Sequence, residues 1–251
     1  MKNPSRFEMF GIRESVKPAW MDEALRGVLS GNTEAECREK LWQMISNDTT
    51  EKGPRGKTTV VKNMALVSSW YAPKDGMERY VSQLAEHAAD LPEAEWSALH
   101  WALLAATYPF FLSVSNIAGR LLGLQENFTK SQALRRLEEI YGTPGMIERN
   151  LRYALSILAN FGFLQCCGRN GIYSRTASMT ISDDRTALLL WKAILHGTKG
   201  GRVPLANVRN SPAFFPFSLP TIYPSQFREA FEDVDISRYV GMDDLLFLKE
   251  E

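Results

Sequence analysis

Cysteine is scarce in this chain: Cys37, Cys166 and Cys167 are the only three in 251 residues. Three thiols cannot build a disulfide framework, and the adjacent Cys166 and Cys167 would bridge only under strain. Composition therefore predicts a reducing, cytoplasmic compartment. Long apolar runs are missing as well. No stretch of about 18 apolar residues occurs, and positions 1–9 are polar and charged where a secretion signal needs an apolar core. These readings predict no membrane partner. Net charge is absent too, with 29 Lys and Arg against 29 Asp and Glu, so whole-chain electrostatics neither demands nor forbids a polyanionic ligand. Disorder and fibrous repeats are disfavoured by a hydrophobic content of 45% and a charged content of 23%, close to ordinary globular domains.

Recognisable catalytic chemistry is equally sparse. Glu51-Lys52-Gly53-Pro54-Arg55-Gly56-Lys57-Thr58 invites a phosphate-loop reading, but Glu51 stands where the first glycine is required and no apolar strand precedes it. The segment reads instead as a basic loop, from which Lys52, Arg55, Lys57 and Lys62 can reach phosphate. His87, His100 and His196 form no metal-ligand spacing with each other or with a cysteine, and His100, beside Trp101, reads as a core histidine. No nucleophile elbow, zinc-protease motif or dinucleotide fingerprint occurs. Cys166 and Cys167 fall in an expected strand and read as core or structural thiols. The expectation is a non-enzyme with no catalytic residue, no metal and no cofactor.

What is present is helical spacing. Residues 21–29 and 34–45 read as two helices, the second opened by a Thr33/Glu36 capping box. A polar loop over 46–56 precedes helices over 57–71 and 76–89. This 1–90 segment is expected to be a helical N-terminal domain without chemistry. Residues 93–108 are rich in Trp, Leu and Ala and read as a buried helix that Pro109 ends. Helices over 113–124 and 129–141 follow. A further helix over 144–161 places Ile147, Leu151, Leu155, Leu158 and Phe161 on its inner side. Gly162 is placed to close it in the left-handed conformation, and two short strands around Gly168-Arg169-Asn170-Gly171 read as a hairpin. Residues 91–182 are thus expected to form a winged helix-turn-helix domain with a short β-hairpin wing. Beyond it, 183–251 holds a helix over 185–196 and a strap over 210–225 with prolines at 212, 216, 220 and 224. Four prolines at that spacing exclude a continuous helix. An acidic end over 226–251 completes the chain and is too apolar for a free tail. The fold class expected is mainly α, with an irregular Pro-rich C-terminal extension.

The zero net charge hides an asymmetry. Residues 119–209 carry 13 basic and 6 acidic side chains, whereas 225–251 carry 3 basic and 8 acidic. A basic middle flanked by acidic segments is the distribution expected of a nucleic-acid-binding module attached to protein-contacting parts. Arg149, Arg152, Tyr153, Ser156 and Asn160 fall on the outer side of the 144–161 helix, where hydrogen-bonding groups read base edges. Lys130, Arg135, Arg136 and Arg169, with Arg175, are the candidate phosphate contacts, and Lys57 a more distant one. The partner expected is double-stranded DNA.

Ser115-Asn116-Ile117-Ala118 and the 147–164 segment resemble winged-helix transcription factors, with the 129–141 helix between the two halves. The layout over about residues 20–180 is similar to the A component of BREX phage-exclusion systems. The points of likeness are Leu29-Ser30-Gly31, the basic loop entering the helix at Thr58, Tyr108-Pro109-Phe110-Phe111, and Asn160-Phe161-Gly162-Phe163-Leu164. The resemblance implies a non-enzymatic role in bacterial anti-phage defence, binding duplex DNA with little sequence preference and contacting other protein subunits of a defence complex. Two other classes fit the same residues: a sequence-specific regulator and a protein-binding scaffold.

Overall fold

The computed structural model describes residue 7 and residues 11–50, 53–73, 76–143, 145–168, 171–237 and 243–249. It is mainly helical, as the apolar spacing predicts, with eleven α-helices and four small sheets among those residues. Four helices open the chain: α1 (Pro18–Leu29), α2 (Glu34–Asn47), α3 (Lys57–Val67) and α4 (Glu78–Ala88). The expected capping box starts α2: the Thr33 hydroxyl accepts from the Glu36 amide at 3.3 Å, and the Glu36 carboxylate accepts from the Thr33 amide at 2.8 Å. Two-residue strands β1 (Thr49–Thr50) and β2 (Gly53–Pro54) pair within the polar loop between α2 and α3.

The helix α5 (Trp96–Thr107) is apolar around its whole circumference, with every residue from Trp96 to Ala106 except Ser97 buried. A helix of that kind has no outer face and must sit in the centre. It packs on α9 (Asp184–Gly197), which carries Leu188, Leu189, Leu190, Trp191, Ile194 and Leu195. Gly197 permits that approach, since a Cβ there would lie 2.6 Å from the carbonyl oxygen of Ala105. The next helix, α6, runs Pro109–Leu124 and begins four residues before the expected start at Ser113. Proline is well suited to the first helical position, so Tyr108-Pro109 is a start as well as a stop. The two helices meet there at 117°. Among the described residues no single helix is long and apolar enough to cross a membrane.

From α6 the chain runs through strand β3 (Asn127–Thr129), α7 (Lys130–Tyr141), α8 (Ile147–Asn160), β4 (Leu164–Cys167) and β5 (Ile172–Arg175). The three strands form an antiparallel sheet in the order β3-β5-β4. Phe128 and Tyr173 are register partners, both buried, with rings stacked at 5.6 Å. The sheet corrects one expectation: Cys166 and Cys167 are exposed, not core thiols; adjacent strand residues point to opposite faces, so beyond Leu164 the strand β4 is covered on neither face.

The strap folds back over the molecule's own interior. After β6 (Met179–Thr180) and α9 come β7 (Arg202–Pro204) and α10 (Leu205–Arg209). The Pro-rich run then makes one turn of 3-10 helix at Pro212–Phe214 and a strand β8 (Phe217–Ser218) parallel to β6. Phe214, tilted, and Phe217, edge-on, pack against Trp101 of α5 with ring centres 5.7 and 5.5 Å away. Beyond the strap, α11 (Pro224–Ala230) leads to β9 (Val234–Ser237) and β10 (Leu245–Leu248), in a sheet ordered β7-β10-β9. Phe231, Val234, Ile236 and Leu246 are buried there, so the acidic end packs on its own chain; Tyr239 and Val240 lie outside the described residues. Buried side chains of residues 1–90, 91–182 and 183–251 join one continuous apolar cluster.

Candidate nucleic-acid interface

The stripe expected on the outer side of α8 is present. At 100° per residue, Arg149, Arg152, Tyr153, Ser156 and Asn160 fall within an arc of about 100° and span about 16 Å along the axis. Ile147, Asn150, Leu151, Ala154, Leu155, Ile157 and Leu158 are buried on the other side. Arg149 and Arg152 are exposed, whereas Tyr153 and Ser156 are half-buried. The Arg152 guanidinium lies 5.1 Å from the Tyr153 ring centre, a cation–π contact that keeps it on the stripe. Arg149 meets the Met146 sulfur at 3.5 Å and, among the described residues, no carboxylate. Asn160 closes the stripe at its C-terminal end. Its Nδ2 donates to the Val16 carbonyl at 3.0 Å, so this carboxamide ties α8 to the N-terminal segment.

How α8 ends sets where the hairpin goes. Gly162 adopts φ +72°, its amide donates to Ala159 and the Phe163 amide to Leu158. This pair of bonds is the Schellman closure, which needs a left-handed residue at that place. The chain therefore turns straight from α8 into β4, and the hairpin of β4 and β5 stands immediately after the stripe. Arg169, expected at the hairpin tip, lies outside the described residues. Arg175, at the end of β5, is exposed and has no carboxylate partner among the described residues.

The start of α7 joins the helix and the hairpin. Thr129 caps α7 through a capping box with Gln132. The Lys130 amide donates to the Gly171 carbonyl of the hairpin at 2.8 Å, while its ammonium pairs with Glu148 of α8 at 2.7 Å. Lys130 holds the Glu148 carboxyl below its ordinary range, first by this hydrogen bond and then by its charge. The pair neutralises Glu148, the one acidic residue of α8, beside Arg149. Lys130 is thus a bracket between three elements, a role that its position 18 residues from Glu148 did not announce. Arg135 and Arg136 point about 100° apart on the outer side of α7; Arg136 is paired with Glu139 at 3.1 Å and Arg135 has no carboxylate partner. Among the described residues, the guanidinium groups of Arg149 and Arg152 on the stripe, of Arg135 on α7 and of Arg175 on β5 have no carboxylate partner.

Lys57 is on another element. It opens α3, exposed, and between α3 and α8 runs the segment at Ser15 and Val16, gripped by Asn63 on one side and Asn160 on the other. Of its neighbours in the basic loop, Arg55 is spent on Asp48 at 3.0 Å and on the Trp20 ring at 4.9 Å, and Lys52 lies outside the described residues. Among the described residues no group of three or more His, Cys, Asp and Glu side chains is arranged to hold a metal ion. Comparison of the chain with protein-family models, curated proteins and solved structures returns no match.

Proposed function

We propose that this chain binds duplex DNA as a non-enzymatic accessory protein, and that α6, β3, α7, α8, β4 and β5 constitute a winged helix-turn-helix. The observation that carries the reading is the unpaired, cation-bearing stripe on α8 followed directly by a hairpin of the sheet β3-β5-β4. A helix of about 16 Å exposed length fits the major groove, and a hairpin leaving its C-terminal end lies along the adjacent backbone. In this reading α8, not α7, enters the groove, because on α7 Lys130 is paired with Glu148 and Arg136 with Glu139, whereas Arg149 and Arg152 of α8 have no carboxylate partner among the described residues. Arg149, Arg152, Tyr153 and Ser156 face bases and nearby phosphates, while Arg135 and Arg175 meet the flanking backbone. The resemblance to the A component of BREX phage-exclusion systems supplies the setting: anti-phage defence in the bacterial cytoplasm, with other subunits as partners.

A gel-shift titration over a salt series tests this. The wild type is expected to shift duplex DNA at low salt, with affinity falling steeply as salt rises. The double variant R149A/R152A is expected to bind at least tenfold more weakly, with a salt slope shallower by about 2. No shift by the folded wild type at low salt would overturn the proposal. Exposed Leu124, Ile140 and Met146, at the ends of α6 and α7 and before α8, favour a second reading, a docking module for another protein. That reading expects the double variant to behave as the wild type does.

A further inference from the structure

A cleft of about 530 Å³ opens on the side of α6 away from the centre, where α6 and the end of α7 face the end of α9, α10 and the first turn of the strap. We infer that this cleft is a binding site for a nucleoside monophosphate, a ligand that the DNA-binding proposal neither requires nor supplies.

The lining is chemically selective. Among the described residues Arg120 is the one ionisable side chain of the lining and no Asp or Glu joins it, so the site favours an anion. Three carboxamides, Asn116, Asn207 and Asn210, enter from both sides. Each carboxamide offers an acceptor and two donors, the pattern that pairs in two-point fashion with the edge of a heterocyclic base. The Asn116 oxygen accepts from the Ser211 hydroxyl at 3.3 Å, which fixes its plane and directs its NH2 group. Arg120, Asn207 and Asn210 have no side-chain hydrogen bond among the described residues, so their polar groups are available. Ile117, Ile194 and Val203 supply apolar surface against which a planar ring can lie. The volume falls in the range of small-molecule sites, about 300–1,000 Å³.

The cleft is also held open by its surroundings. A Cβ on Gly119 would lie 1.8 Å from the Pro212 carbonyl oxygen, so the strap is pressed onto α6 at the cleft's edge. Across from it, Gly197 seats the end of α9 on Ala105 and Leu112 with no room for a side chain. The walls are therefore fixed before any ligand arrives, which lowers the entropy lost on binding. A guanidinium, three carboxamides and aliphatic surface in one lining supply the chemistry that phosphate, base edge and base face of a single small molecule need.

Calorimetric titration of the full chain with AMP, GMP, CMP and UMP tests the inference, with the matching nucleosides and inorganic phosphate as the two halves of each ligand. At least one nucleotide is expected to bind saturably, and at least tenfold more tightly than either half. Arg120→Ala, an exposed change whose folding is checked by the thermal midpoint, is expected to weaken that nucleotide at least tenfold. R149A/R152A is expected to leave it unchanged, which separates this cleft from the cationic stripe on α8. No binding by any of the four at 5 mM (about the weakest affinity worth a site, near 3 kcal/mol) would overturn the inference. So would nucleotide binding indifferent to Arg120→Ala, or phosphate alone binding as tightly as the nucleotide.

Discussion

His100 shows how one buried polar residue fixes a protonation state. Its ring is fully buried, its Nδ1 accepts from the Trp70 indole at 3.1 Å, and its Nε2 lies 2.8 Å from an Asp22 oxygen. An indole can only donate, so the proton of the neutral ring sits on Nε2 and is given to Asp22. A second proton would set an N–H against the Trp70 N–H. Burial holds the His100 pKa below its ordinary 6.5; Asp22 opposes that shift and Arg26 adds to it. Because the folded pKa is depressed, the unfolded chain takes up a proton near pH 6.5 while the folded chain does not. Stability from this residue is complete above pH 6.5 and is lost as pH falls from there toward the folded pKa. Thermal midpoints between pH 7 and 5 are expected to fall more steeply for the wild type than for His100→Gln. Parallel curves would mean that His100 does not titrate in this way.

At the scale of elements, the joint between α8 and its hairpin rests on the positive φ of Gly162. Gly162→Ala would force a side chain into the left-handed region, a strain of about 1–2 kcal/mol, with open space around the new Cβ so that no clash confuses the result. Chemical denaturation is expected to read that loss, and Gly162→Asn, which tolerates the conformation better, a smaller one. This closure was legible in sequence, as were nine of the eleven described α-helices and the inner and outer sides of α8, because 3.6-residue periodicity is local; the short α10 and α11 were not. The start of α6 was misjudged because Pro109 serves both as the stop of α5 and as the first residue of the next helix. The strand β3 left little trace, since Phe128 is its one buried residue. The exposure of Cys166 and Cys167 depends on what covers the two faces of the sheet, which is a property of the packed molecule and not of the strand. The sheet β7-β10-β9 joins segments about forty residues apart that no local pattern connects. For the same reason the stripe's residues could be read from spacing, but the Lys130–Glu148 bracket and the Asn160 tie to Val16 could not.

At the scale of the whole molecule, the acidic end is anchored to the helical body by one buried ion pair. Lys192 of α9 is fully buried, with its ammonium 2.7 Å from Gln83 of α4 and 2.5–2.7 Å from both oxygens of Asp233, just before β9. The Phe231 ring lies 4.5 Å from it. Burial pulls the Lys192 pKa down to about 8, against the opposing hydrogen bond and charge of Asp233. Three parts of the chain far apart in sequence meet at this charge, so its partner matters more than surface pairs such as Arg228 with Asp235. Removing Asp233 leaves a buried ammonium with an amide and the Phe231 ring but no anion beside it among the described residues, and Asp233→Ala is expected to lose about 3 kcal/mol at pH 7. The double variant K192M/D233A, which removes both charges, is expected to recover most of that loss, because an apolar pair needs no compensation. The sign of the pH effect follows from a folded lysine pKa lower than the unfolded 10.5. Above its folded pKa the variant's Lys192 is neutral while the unfolded chain still binds the proton, so stability rises with pH. Without Asp233 that gain starts below pH 8, and the deficit against the wild type is expected to narrow as pH approaches 8. Equal losses in Asp233→Ala and in the double variant would show that Asp233 acts by packing and not by holding a charge.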